Sequence, residues 1–547
     1  MGGQPKSQGC RDRSEPRGAA SERSCLAPTH RLPPIRPFGG EERINRYLSL
    51  KETTSTIISK TRSAREQGPR PQDKRRSLDI FTNRESQIIY IPIIIVTFFM
   101  FCGASWQIFW PATDAARYQC YAINFWFGTD ALRHLPIEQC TLVITTPHPA
   151  FHSLPTEYPP LTLLAFSIPL LLPLPYYQFA FSLLMSLTSV FIYWVLYRYG
   201  PRGSALLYAF YIFLGALGLA QLRFDLLPTF CMLLCIIAAE RKHWTAAYVA
   251  LAFGVLLKIY PILLLPVLFL AEQQSKGHIT AIEEAPNPGL VPILRQLWSQ
   301  VRHVFRWNWH NFLLFLGMVI GITGTFTLLD FNGAVVSQLT YFAQRPIQIE
   351  STSSTLIWLA QIIGIPWLGV YYDFGSVNLV SDISILFSQA GTLLLILGFL
   401  YIHWLQLRGR MDITQAAIAL LLLFITTGKV FSPQYLIWLI PLLAYAGAFD
   451  LFWLFSWGTI SILTTILYIF FNSQLAAPTS PDLIFIPNGF LEIVAARNML
   501  LVLLTLSYLF NWFHARQRKP LPEMQFGRQT RFVTQFARVR AALQPIR

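Results

Sequence analysis

The chain has 547 residues and a formal net charge of +15; 53% of its residues are hydrophobic and only 13% are charged. A soluble domain carries about 25% charged residues, so this composition excludes an ordinary soluble globule. The basic residues gather at the two ends and in short connections, the pattern that orients membrane helices, which argues against a nucleic-acid partner.

Residues 1–80 are rich in Arg, Pro, Ser and Glu without periodicity, and are expected to form a disordered basic cytoplasmic tail. The first apolar run opens near Ile88, too far from Met1 for a cleaved signal, and reads as an uncleaved anchor. About thirteen apolar segments occupy residues 88–513: 88–110, 161–174, 177–197, 205–221, 225–239, 244–257, 260–272, 311–330, 384–406, 413–428, 434–449, 451–471 and 491–513. Runs of about 20 apolar residues span the hydrocarbon core. Lipid offers backbone groups no partner, so such runs must be helical, and they lack the period-two alternation of a β-barrel. The expected fold class is an all-α polytopic membrane protein, with about 12 crossings and both termini cytoplasmic. Residues 514–547 form a second basic cytoplasmic tail.

Arg198 with Arg202, Arg241 with Lys242, the 273–309 connection, and Arg408 with Arg410 mark the cytoplasmic side. That places 111–160, 222–225, 258–261, 331–383 and 429–433 outside, with 354–366 as a short interfacial helix. Only one net crossing fits between 160 and 198, yet two apolar segments lie there, so one of them is short or re-entrant. Cys120 and Cys140 share the first outer connection, where a disulfide and two separate thiols are both open readings.

Ionisable groups beside a membrane core are costly and are candidates for function. Asp114, just past the first helix, is a helix cap or a carboxylate able to take a proton from a hydroxyl; Asp130 is its rival in the same connection. Glu157-Tyr158-Pro159-Pro160 starts a helix at the interface. Lys258, in Lys258-Ile259-Tyr260-Pro261, either snorkels or holds a phosphate. Arg345 offers a planar fork for phosphate, or pairs structurally with Glu350. Lys429 precedes Ser432-Pro433-Gln434-Tyr435, where the amides of a helix start would add to an anion site.

Taken in order, these stretches resemble glycosyltransferase family 87, multi-pass GT-C-type enzymes that include polyprenyl-phosphate-mannose-dependent mannosyltransferases. The resemblance is carried by Asp114–Tyr118, Glu157-Tyr158-Pro159-Pro160-Leu161, the Asp225 region, Lys258-Ile259-Tyr260-Pro261, Arg345 to Ser351 and Lys429 to Tyr435, and covers roughly residues 88–513. The chain departs from the family at Leu222-Arg223-Phe224-Asp225, where a Gly-Gln pair is usual. The resemblance implies a GT-C fold and a cell-membrane enzyme that moves a sugar, mannose, from a polyprenyl-phosphate donor to a glycolipid or glycan acceptor on the extracytoplasmic face. It implies Asp114 as general base, and Lys258, Arg345 and Lys429 at the donor phosphate. Tyr118, Glu157, Tyr158, Tyr260, Glu350, Ser351, Ser432, Gln434 and Tyr435 are then expected along the substrate groove. No metal or other cofactor is expected. A lipid or polysaccharide transporter or flippase is the alternative, and it would spread polar residues along a path through the bundle.

Overall fold

The computed structural model describes residues 84–110, 113–140, 143, 147–279, 302, 304–364, 368–448, 450–471 and 486–510. The two expected tails, 1–80 and 514–547, lie outside these residues. Helix dominates, and each of the apolar segments read from the sequence contains it. In chain order come α1 (Arg84–Ala104), α2 (Asp114–Phe127), the short α3 (Thr162–Ser167), α4 (Tyr177–Tyr199), α5 (Ser204–Ala216), α6 (Leu226–Glu240), α7 (Trp244–Leu257), α8 (Leu264–Ser275) and α9 (His310–Thr327). After a connection come α12 (Ser384–Leu407), α13 (Ile413–Thr427), α14 (Tyr435–Ala446), α15 (Leu451–Ile466) and α16 (Phe490–Phe510). Among the described residues, five helical stretches are long and apolar enough to cross a membrane: Leu174–Tyr199, His310–Thr327, Ser384–Leu407, Leu451–Phe471 and Phe490–Phe510. The other apolar helices are shorter.

The two apolar segments after residue 160 differ in kind. Thr162–Leu171 is helical for ten residues, which at about 1.5 Å each spans about half a hydrocarbon core. The α helix there gives way to a 3-10 turn at Ile168-Pro169, and the full-length helix is the one that follows.

Helices α13 and α14 are apolar on every side and almost wholly buried, as expected of elements at the centre of a bundle. Helices α9 and α12 bury few residues and lie outermost. Glycines let α12 close on α13: a Cβ at Gly391 would sit 2.5 Å from the Thr427 carbonyl oxygen, and one at Gly398 would meet the Leu423 side chain.

The connection between α9 and α12 departs from the all-helical expectation. It contains α10 (Ser337–Gln344) and α11 (Thr352–Ile362), the latter where the short interfacial helix was expected. Between and after them lie β1 (Ile347–Gln348), β2 (Gly369–Asp373) and β3 (Ser376–Val380), an antiparallel sheet in the order β1-β3-β2. The β2–β3 turn is Phe374-Gly375, with φ of 52° and 67°. Two positive φ angles match the twist of a two-residue hairpin, and the β-branched and aromatic residues of Val370-Tyr371-Tyr372 and Val377 suit a pleated surface. A short hairpin of this kind is hidden from a reading that looks for long apolar runs.

Candidate active site

The five connections expected on one side of the membrane meet at one end of the bundle and enclose a cavity of about 530 Å³. Its walls include Asp114, Arg117, Glu157 and Tyr158 from the first connection, Arg223 from the second, and Lys258 and Tyr260 from the third. Arg345, Gln348 and Glu350 come from the fourth, Ser432 from the fifth, and Gln434 and Tyr435 from the start of α14 that follows it. The arginine-rich connections group at the opposite end. There the Arg241 guanidinium lies 4.3 Å from the Tyr199 ring centre, Glu240 accepts from Thr414 and from Tyr445 Oη at 2.6 Å, and Gln274 donates to the Gln406 carbonyl.

Asp114 opens α2. The Thr113 hydroxyl caps the helix by accepting from the Ala116 amide at 3.1 Å, so the carboxylate projects from the first turn, 8% exposed. It is paired with the Arg223 guanidinium, and Arg117, one turn along α2, stands 3.6 Å away. Arg117 is itself engaged, its Nη1 reaching the two Glu157 oxygens at 3.1 and 3.3 Å. The Glu157-Tyr158 stretch is fixed by Gln338 of α10, whose Nε2 donates to the carbonyls of Pro155 and Tyr158. The helix is also tied down from behind. Cys120 and Cys140 form a disulfide, and Gln139 Nε2 donates to the Ala116 carbonyl at 2.9 Å. Asp130, by contrast, sits on the surface with Arg133 and does not line the cavity.

The three expected phosphate cations stand in three different settings. Lys258 donates to Asp225 Oδ1 at 2.6 Å, and the same oxygen accepts from Trp438 Nε1 at 2.6 Å. Its ammonium is surrounded by the rings of Phe224, Trp438 and Tyr158, and burial draws its pKa below that of an ordinary lysine, against the pull of Asp225. Lys429 is outside the wall, bonded to the Ala343 carbonyl at 3.1 Å. Arg345 lines the cavity with no carboxylate in ion-pairing range among the described residues. Its guanidinium carbon lies 5.2 Å from the Tyr341 ring centre, and its Nε has no hydrogen-bond partner there. Glu350, the structural partner in the alternative reading of Arg345, is taken by Arg497 of α16. Arg497 Nη1 reaches Glu350 Oε2 at 3.0 Å, and Nη2 reaches the Glu350 carbonyl at 2.6 Å. Burial pushes the Glu350 carboxyl up, and Arg497 opposes the shift.

Aromatic rings make the apolar wall. Tyr260 and Tyr435, far apart in the sequence, both stack on one ring, Trp438, with centres 3.8 and 3.9 Å from it. Gln434 and Gln348 each carry a buried Oε1 without a partner among the described residues, so the wall offers two hydrogen-bond acceptors. Two expected groove residues lie behind the wall. Tyr118 is buried flat against Phe166, with ring centres 4.3 Å apart, and braces Tyr158 edge-on. Ser351 accepts from the Ser354 amide and caps α11.

Sequence reading missed Arg117, Arg223, Trp438 and Arg497. Arg117 lies in the quoted Asp114–Tyr118 stretch and Arg223 in the stretch noted as a departure, so both were in view. Trp438 and Arg497 sit inside apolar helices; for Arg497, an arginine in the middle of an otherwise apolar run was the available signal. No family model matches the chain, and no curated protein matches it.

Proposed function

We propose that the chain is a membrane glycosyltransferase of GT-C type that takes a sugar, mannose on the resemblance, from a polyprenyl phosphate and passes it to a glycolipid or glycan hydroxyl. The observation that carries this reading is the cavity's pairing of a carboxylate, Asp114, with an arginine that has no ion-pair partner among the described residues, Arg345, between aromatic walls at one end of the bundle. A phosphate fits a planar guanidinium fork, and aromatic faces suit a sugar ring and a lipid chain. A translocation path would need charged or polar lining that continues to the other end, whereas every charged residue of the cavity wall comes from connections at one end, and the helices add chiefly aromatic rings such as Phe424, Trp438 and Tyr468. The arginine bias favours an extracytoplasmic cavity with cytoplasmic termini. The Cys120–Cys140 disulfide favours an oxidising compartment at the same end.

In this mechanism the acceptor hydroxyl attacks the anomeric carbon from the face opposite the phosphate. Asp114 receives the hydroxyl proton, the bond from the anomeric carbon to the phosphate oxygen breaks, and its electron pair stays on the phosphate, so the configuration inverts. Arg345 stabilises the charge that develops there; Lys429, outside the cavity wall, acts only at longer range, and Lys258 contributes less, because Asp225 offsets its charge. Purified full-length protein in lipid nanodiscs, given polyprenyl-phosphate-mannose and a glycolipid acceptor, tests the reading. Asp114→Asn should lower turnover by about 10² to 10⁴-fold, the usual span for a lost acid–base group, with donor binding retained. Undiminished turnover would remove Asp114 from the role, and lipid movement between leaflets without sugar transfer from any donor would favour the flippase.

A further inference from the structure

The carboxylate assigned as base is held by two cations, and a carboxylate in contact with arginine binds protons poorly. A base must also reach the acceptor hydroxyl within about 3 Å, and an arginine sharing its oxygens competes for that approach. One of the two cations therefore has to move for the chemistry to proceed. Arg117 is anchored by both oxygens of Glu157. Arg223 has no ion pair other than Asp114 among the described residues. Its guanidinium faces the cavity, where Asp225, Glu350 and Arg345 are its charged neighbours. Asp225 and Glu350 are already taken by Lys258 and Arg497, so neither protein carboxylate is free to receive Arg223.

We propose that Arg223 is a shared counter-ion, which holds Asp114 until a lipid phosphate beside Arg345 draws the guanidinium away and frees the carboxylate to act as base. This deepens the glycosyltransferase reading and rests on it. The charge change has the right sign. As the bond from the anomeric carbon to oxygen breaks, the phosphate passes from a singly charged diester to a more highly charged monoester, while Asp114 takes the acceptor proton and becomes neutral. A cation that leaves Asp114 for the phosphate follows the negative charge across the cavity. Arg223 is thus a positioning residue that links donor occupancy to base availability, and an acceptor hydroxyl is not activated before a phosphate is in place.

The test follows the reactivity of the Asp114 carboxyl, which does not depend on turnover. Full-length protein in nanodiscs is treated with a carboxyl-modifying diazo reagent while sugar-free polyprenyl phosphate is titrated in, and modification is read at Asp114 by peptide mass spectrometry. In the native protein modification should rise several-fold with lipid phosphate. In Arg223→Ala it should be high from the start and insensitive to the lipid, and Arg223→Lys should restore part of the dependence. Lipid phosphate that leaves Asp114 reactivity unchanged in the native protein overturns the proposal, as does an Arg223→Ala protein that still responds. The native-protein titration needs no variant, so a misfolded substitution does not spoil the outcome. Failure of sugar transfer with a positive titration would sink the enzyme reading alone; normal transfer with a flat titration would sink only the shared counter-ion.

Discussion

Lys429 lies outside the cavity wall but close enough to Arg345 for the arginine charge to make the lysine ammonium more costly. Partial burial lowers the Lys429 pKa below the ordinary lysine value, and the Arg345 charge lowers it further. The ammonium is the form that attracts an anion, so affinity for a lipid phosphate should fall as pH rises through this depressed pKa, before an ordinary lysine would lose its proton. Acylation of the Lys429 amine, followed against pH by peptide mass spectrometry, should show a midpoint below the usual lysine range, and Arg345→Ala should move that midpoint upward. An unchanged midpoint in the variant would mean that the two cations do not sense each other. In the sequence Lys258, Arg345 and Lys429 look alike, since each interrupts or flanks an apolar run. What separates them is distant in the chain: Asp225 lies 33 positions from Lys258, and the Arg497 that takes Glu350 lies 147 positions from it. Local pattern locates a buried charge, whereas its partner is set by tertiary packing.

At the scale of elements, α16 anchors the connection that delivers Arg345. Arg497 is fully buried in the middle of the helix, with Phe431 4.1 Å from its guanidinium carbon. Asn498, its neighbour, donates to the carbonyls of Glu350 and Ser351 and to the Thr355 hydroxyl. Two consecutive side chains of α16 thereby fix the turn from β1 into α11. Arg497→Met leaves Glu350 without its cation, and breaking a buried pair in this way typically costs about 3–5 kcal/mol. Adding Glu350→Gln removes the stranded charge and should recover much of that loss. Thermal unfolding in detergent of the two single variants and the double one checks this: a double variant no more stable than Arg497→Met would show that the pair is not the unit that matters. Helix α16 was legible because a lipid-length apolar run admits one backbone solution. The β2–β3 hairpin was not, because five-residue strands in a polar connection carry a signal comparable to that of a loop.

Across the whole molecule, the arginine-rich connections and the cavity connections occupy opposite ends of the bundle, an arrangement the charge rule anticipates from sequence. The rule counts positive residues without asking what they do, and the cavity end breaks the simple count. Arg117, Arg223, Lys258 and Arg345 all belong to it, yet the first three are matched by Glu157, Asp114 and Asp225. Paired charges add little to an orienting bias, so the arginine-rich connections of the other end should still decide the topology. Single cysteines at Gly128, Arg345 and Lys429, introduced into a protein without its native thiols, should react in intact cells with a membrane-impermeant maleimide. Cysteines at Arg202, Lys276 and Arg410 should react only after the membrane is opened. Gly128 is the sharpest of these positions, because it ends the helix that begins at Asp114 and lies close in the chain to the Cys120 disulfide. If cysteine 128 reacts only in opened cells while cysteine 410 reacts in intact ones, the whole orientation is reversed and the cavity faces the cytoplasm. A mixed result within either group would mean that connections which share an end of the bundle do not share a side of the membrane, and the bilayer would then have to cross the bundle at an angle that the convergence of five connections on one cavity does not allow.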